Sequence, residues 1–207
     1  KKVIALSTDK ACNPINLYGA TKLCAEKLFV NANQLTDKNS TTFGVVRYGN
    51  VIASRGSVIP FFKELVENKI KTLPLTHMEM TRFFITLSDS VMFVLNTLKD
   101  TKGGEISIPK MNSIYIKDLI KFIDPKAKIK VIGIRQGEKI HETLCSHEES
   151  KLIYENKNSY IIYSQNFLKQ KKIGKKIKKD FLYISNSGEY LNKKKIFKLI
   201  QKSKVLN

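Results

Sequence analysis

Val3-Ile4-Ala5-Leu6 is a short apolar run that ends in Ser7-Thr8, the pattern of a buried parallel strand leading into a polar turn. After Pro14 the apolar positions Leu17, Ala20, Leu23, Cys24 and Leu28 recur near helical spacing, which predicts a helix over residues 16–32. A second strand is expected at 43–48, followed by a loop at 49–57. Val58, Ile59, Phe61, Phe62, Leu65 and Val66 then mark another helix. Residues 83–87 read as a strand, with Ser88 as N-cap of a helix running to about Lys99 and stopped by Gly103-Gly104. Beyond it come a short strand at 105–108, a helix at 116–123 and a strand at 130–134. After about Ser150, Lys and Asn dilute every periodicity, and 166–186 reads as a basic loop.

Strands alternating with helices imply an α/β fold with a parallel sheet, in which ligand chemistry collects at the carboxyl ends of strands. Thr8, Asp9 and Lys10 occupy such an end. The expected division is 1–102 for the sheet with the Tyr18–Lys22 helix and 103–207 for a smaller α+β substrate-binding lobe with a basic extension.

With 42% hydrophobic residues among 207, the chain can bury a sizeable core. No stretch approaches the roughly 18 consecutive apolar residues of a membrane span, so a cytoplasmic protein with no membrane partner is expected. Cys12, Cys24 and Cys145 form no C-x-x-C pattern, which fits reduced thiols. The net charge of +19 raises nucleic-acid binding, but only four of the 37 basic residues are Arg and Lys crowds the C-terminal third, so a compositional bias explains it as well and nucleic acid is an unlikely partner. His141, Cys145 and His147 lack a fourth ligand, so no metal is expected.

The strongest chemical feature is Tyr18-Gly19-Ala20-Thr21-Lys22, a Tyr and a Lys at i and i+4 near the start of a helix. That spacing puts phenol and ammonium on one face, where the Lys charge favours phenolate. Alone it is a common pairing. Its context is Ser7-Thr8-Asp9-Lys10 at the preceding strand end, which adds a hydroxyl, a carboxylate and an amine. The run from Ser7 to Lys22 resembles the catalytic segment of the extended short-chain dehydrogenase/reductases, specifically the inverting UDP-N-acetylglucosamine 4,6-dehydratases. The resemblance continues through Arg47-Tyr48-Gly49-Asn50-Val51, Ser54-Arg55-Gly56-Ser57-Val58-Ile59-Pro60, Met80-Thr81-Arg82-Phe83 and Gly133-Ile134-Arg135-Gln136-Gly137-Glu138-Lys139, covering about residues 1–150.

The resemblance implies the C-terminal portion of a Rossmann-like doubly wound sheet, NADP as cofactor, a UDP-sugar as substrate and a homo-oligomer. Tyr18 would take the proton of the sugar 4-hydroxyl, Lys10 the C5 proton, and Asp9 would protonate the departing 6-hydroxyl; Lys22 would hold the nicotinamide ribose and Thr8 would orient the substrate. Arg47 is implied as a cofactor contact, with a buried structural arginine as the other reading. Asn50, Arg82, Arg135 and Glu138 would contact UDP, with Arg55 and Ser57 in a loop over the nucleotide. Cys12 stands where these enzymes usually have Ala, and Gln136 where they commonly have Pro. A UDP-sugar 4-epimerase shares the Tyr and Lys but needs no acid/base pair for water loss; a retaining dehydratase typically has Met in place of Tyr18. A basic nucleic-acid-binding module is the non-enzyme alternative. The family's glycine-rich cofactor loop precedes the Tyr-Lys helix, and no G-x-x-G-x-x-G occurs in these residues. They are therefore expected to be part of a longer protein and, alone, neither to turn over substrate nor to bind NADP normally.

Overall fold

The computed structural model describes residues 1–35, 41–52, 54, 56–164, 173–177, 180–187 and 190–202. In chain order its elements are β1 (Lys2–Thr8), α1 (Leu17–Ala32), β2 (Thr42–Tyr48), β3 (Asn50–Val51), α2 (Val58–Glu67), β4 (Thr72–Leu75), β5 (Thr81–Ile85), α3 (Leu87–Asp100), β6 (Glu105–Pro109), β7 (Asn112–Tyr115), α4 (Ile116–Ile123), β8 (Lys128–Val131), β9 (Thr143–Cys145), β10 (Ile153–Glu155), β11 (Ser159–Tyr163), β12 (Lys175–Lys176), β13 (Tyr183–Ile184) and α5 (Lys193–Lys202). Two compact units interleave along the chain. The first is Lys1–Tyr48, Val91–Lys110 and Thr143–Ile184; the second is Gly49–Ser90, Met111–Glu142 and Ser185–Asn207. Among the described residues no helix is long and apolar enough to cross a membrane.

The first unit is built on a six-stranded sheet in the order β1-β2-β6-β11-β10-β12. β1, β2 and β6 run parallel, as the strand–helix alternation implies, whereas β11, β10 and β12 add antiparallel. α1 begins where Asn16 accepts a hydrogen bond from the Gly19 amide at 2.8 Å, satisfying one of the amides that a helix start leaves unpaired. At its other end the Asn33 side chain clasps Phe43 of β2, donating to its carbonyl and accepting from its amide, both at 2.8 Å. Phe29 of α1 meets Phe43 edge-on, with ring centroids 6.0 Å apart. α1 is thereby tied at its C-terminal end to β2. β1 is the edge strand, and its Leu6 is half exposed.

The second unit has its own core. Ile59 and Phe62 of α2, Leu73 and Leu75 of β4, Phe84 of β5, Ile114 of β7, Leu119 and Ile120 of α4, and Ile196 and Ile200 of α5 form one buried cluster. Each such side chain contributes on the order of 1.5–3 kcal/mol by leaving water. Around it lie the sheet β3-β5-β7 and the parallel pair β4-β8.

Several boundaries differ from the sequence expectation. The third helix starts at Leu87, and its cap is Thr86, whose Oγ1 accepts from the Asp89 amide at 3.1 Å; Ser88 lies inside the first turn. The strand expected at 130–134 ends at Val131, because Gly133 adopts a φ of 88° that breaks the extended backbone. The expected basic loop at 166–186 contains β12 and β13, while its residues 166–172 and 178–179 fall outside those described.

Candidate active site

The first unit gathers chemistry at the carboxyl end of β1. Asp9, Lys10 and Ala11 form a single 3-10 turn directly after the strand, with Thr8 as its cap. The Asp9 side chain is fully buried. Its Oδ1 accepts from the Thr8 hydroxyl at 2.9 Å and from the Lys10 ammonium at 3.0 Å. Its Oδ2 is also buried and has no hydrogen-bond partner among the described residues. A buried carboxylate oxygen left unpaired is costly unless a ligand completes it.

Gly19 brings the Tyr-Lys helix onto this turn. A Cβ at position 19 would lie 2.3 Å from the Lys10 carbonyl oxygen and 3.0 Å from the Pro14 Cβ, so only glycine allows the approach. Tyr18, its neighbour, is half exposed, and the Lys22 ammonium donates to the Leu6 carbonyl at 3.1 Å. Strand register sets Tyr48 opposite Thr8. Burial raises the Tyr48 phenol above its ordinary pKa, and a charge on Tyr18 would raise it further, so the two phenols are electrostatic neighbours. Thr8, Asp9, Lys10, Tyr18 and Lys22, singled out from the sequence, are therefore assembled around one strand end.

Arg47 takes the structural role. Its side chain is fully buried, and all five guanidinium protons are used inside the protein. Nε and Nη2 donate to Glu26 at 2.8 and 2.5 Å, Nη1 and Nη2 to Glu149 at 2.9 and 2.8 Å, and Nη1 also to the Leu144 carbonyl at 2.9 Å. Burial by itself would lower its pKa, but the two carboxylates outweigh that and hold it well above the ordinary value. No donor is left for a cofactor, which corrects the expected cofactor contact. Glu26 was legible in principle, since it continues the Tyr18–Lys22 face by one more turn. Glu149 lies too far along the chain for any spacing to reveal it.

In the second unit Arg82 is buried, donating to the carbonyls of Thr81, Ile140 and Lys139 at 2.7–3.0 Å, with Glu138 and Glu142 carboxylates each at 3.7 Å. Residues Arg135 to Glu138 form a turn in which the Glu138 amide donates to the Arg135 carbonyl and the Arg135 amide to the Glu138 carboxylate, with Gly137 at a φ of 75°. That glycine turn closes with Gln136 in it. Arg135 itself faces solvent. Asn50 Oδ1 and Ser57 Oγ are buried without a partner among the described residues, and Ser57 caps α2 without using its hydroxyl. Arg55 lies outside the described residues. His141 Nδ1 is paired with Thr81 Oγ1 at 2.8 Å.

The cysteines differ sharply in reactivity. Cys12 and Cys145 are buried and Cys24 is exposed. Burial, reinforced by the nearby Glu149 carboxylate, pushes the Cys145 thiol up to about 12 and raises Cys12 further. Iodoacetamide at pH 8 should therefore alkylate the folded chain once, at Cys24, with mass mapping as the check; rapid labelling of Cys12 would contradict the buried network.

Residues 1–164 match the family described as "Polysaccharide biosynthesis protein". The chain belongs to this family. It is 49% identical, over 97% of its own length, to a UDP-N-acetylglucosamine 4,6-dehydratase (inverting) of Campylobacter jejuni. It spans 63% of that protein. It is also 44% identical to a UDP-glucose 4-epimerase of Rickettsia bellii, over 72% of this chain and 44% of the epimerase. The X-ray structure of Pen from Bacillus thuringiensis superposes on all of this chain and 64% of that one, with a TM-score of 0.89 and 36% identity.

Proposed function

We propose that this chain carries the reacting groups of a nucleotide-sugar 4,6-dehydratase that inverts C5, acting on UDP-N-acetylglucosamine with a nicotinamide cofactor, NADP being the form the resemblance implies. The observation that carries the reading is Asp9: a fully buried carboxyl that holds the Lys10 ammonium on one oxygen and leaves the other unpaired. A single proton shift along the 3.0 Å bond between them converts ammonium and carboxylate into amine and carboxylic acid, the pair that water elimination requires.

The residues present fit a nicotinamide ribose. Lys22 spends one of its three protons on Leu6, leaving two for ribose hydroxyls, and Tyr18 exposes its phenol one turn earlier on the same face. When bound, the cofactor supplies a hydride acceptor at C4 and a donor at C6. Tyr18 takes the proton of the 4-hydroxyl, and the resulting ketone acidifies C5. Lys10 removes the C5 proton, and Asp9 gives its proton to the 6-hydroxyl, which leaves as water. A proton returned to the opposite face of C5 completes inversion, so the net change is the loss of one water. In the second unit the N-terminus of α2, with the Ser57 hydroxyl, suits a phosphate of the nucleotide, and the unpaired Asn50 oxygen suits a donor such as a ribose hydroxyl or a base N–H. Arg135, Arg82 and Glu138 are the remaining nucleotide candidates.

The 4-epimerase reading is favoured by the Rickettsia bellii relative, but it gives the Asp9-Lys10 pair no task. Mass spectrometry of UDP-N-acetylglucosamine incubated with the full-length protein carrying these residues separates the two. A dehydratase removes the mass of one water; an epimerase leaves the mass unchanged. The 207 residues taken alone contain no glycine-rich pyrophosphate loop. Calorimetric titration of them with NADP should accordingly give no micromolar binding, and such binding with measurable turnover would overturn that expectation.

A further inference from the structure

The buried Arg47 network reaches the residues that flank the reacting turn on both sides, Ser7 and Cys12. Tyr18, Lys22 and Glu26 fall one per turn on the same face of α1. Lys22 is bonded to Leu6, and the Ser7 hydroxyl donates to Glu26 Oε1 at 2.5 Å, so two successive turns of α1 are fastened to consecutive residues of β1. Ser7 and Arg47 are register partners on neighbouring strands, and the Glu26 carboxylate bridges them. Across Arg47, Glu149 accepts from the Ser146 amide at 3.1 Å and from the Cys12 thiol at 3.5 Å. Ser7 immediately precedes Thr8, and Cys12 immediately follows the Asp9–Ala11 turn. One guanidinium therefore holds, through two carboxylates, both ends of the turn that carries Thr8, Asp9 and Lys10 and the helix that carries Tyr18 and Lys22.

We propose that Arg47, acting through Glu26 to Ser7, is a positioning residue that fixes the distance between the Tyr18–Lys22 face and the Thr8–Asp9–Lys10 turn. This rests on the dehydratase reading for its consequence in catalysis. A well-packed apolar cluster would fill the same space at equal or better stability. What the charged network adds is direction: bidentate guanidinium–carboxylate bonds define orientation as well as contact. The proton shift between Lys10 and Asp9, and the transfer to Tyr18, tolerate little displacement, and about 1 Å of misplacement costs on the order of 100-fold in rate.

The test uses Ser7→Ala, a small change that leaves Arg47, Glu26 and Glu149 in place, together with Arg47→Lys, both in the full-length protein and assayed well below each melting temperature. Ser7→Ala should lower kcat roughly tenfold, the equivalent of one lost hydrogen bond, and Arg47→Lys about 100-fold, with KM for the UDP-sugar little changed. Amide hydrogen exchange, read in the same proteins, should accelerate roughly tenfold at residues 9–12 and 18–22 in Ser7→Ala while β6 and β11 keep their protection. Lower melting temperatures with unchanged kcat per folded molecule would reduce the network to a structural one and overturn the proposal, as would unchanged exchange at the turn and helix. A wild type that eliminates no water refutes the dehydratase reading instead, and the exchange comparison still decides whether the network couples the two segments.

Discussion

Lys10→Ala in the full-length protein should lower the dehydration rate by roughly 10²–10⁴-fold, the usual contribution of a positioned general base. The fold should survive at reduced stability, since the Lys10 side chain is 31% exposed but the buried Asp9 loses its charge partner and keeps the Thr8 hydroxyl. Assayed below its lowered melting temperature, the folded variant should show turnover nearly abolished and C5 of the bound sugar no longer exchanging its proton with solvent. Asp9→Asn should also block water loss while leaving the C4 oxidation step available, because Tyr18 and not Asp9 takes the hydroxyl proton. Unchanged turnover in Lys10→Ala would remove Lys10 from the reaction and with it the main distinction from an epimerase.

Arg47→Leu should cost about 3–5 kcal/mol of stability, the loss seen when one partner of a buried ion pair is removed and the other is left uncompensated. Glu26, buried beside it, would keep only the Ser7 hydroxyl. Urea unfolding measures the loss directly, and a change under about 1 kcal/mol would contradict the buried triad. The same experiment has a pH signature. Burial alone would raise the Glu149 carboxyl, but the Arg47 hydrogen bond and charge overcome this and hold it below its ordinary value of 4.5. A carboxyl depressed in the folded state contributes stability that is complete above the unfolded value and is lost as pH falls through the folded one. The wild type should thus lose stability as the medium is acidified below about 4.5, and the Arg47→Leu variant should show a shallower decline.

Much of the site was legible because its chemistry is local. Thr8, Asp9 and Lys10 are consecutive, Tyr18 and Lys22 are one helical turn apart, and Gly19 between them is the residue whose missing Cβ lets the helix reach the Lys10 carbonyl. The parallel strands β1 and β2 were legible for the same reason: short β-branched runs ahead of polar turns. What escaped depends on distance in sequence. Arg47 sits in a motif that invites a phosphate, yet its partners come from α1 and from residue 149, and only the folded chain brings Glu149 to it. The C-terminal helix α5 was hidden by composition, because lysines surround the two isoleucines, Ile196 and Ile200, that bury it in the second core. Thr86 displaced Ser88 as a helix cap since both hydroxyls stand within two residues of each other and either could serve.

The product formed from UDP-N-acetylglucosamine by the full-length protein in deuterated water, read by NMR, decides whether Lys10 and Asp9 act as an elimination pair. That product should carry a C6 methyl group, a 4-keto function, one deuterium at C5 and the L-arabino configuration, because Lys10 removes the C5 proton and the replacement arrives on the opposite face. A product with retained D-xylo configuration at C5, or a UDP-N-acetylgalactosamine with its 6-hydroxyl intact, would contradict it.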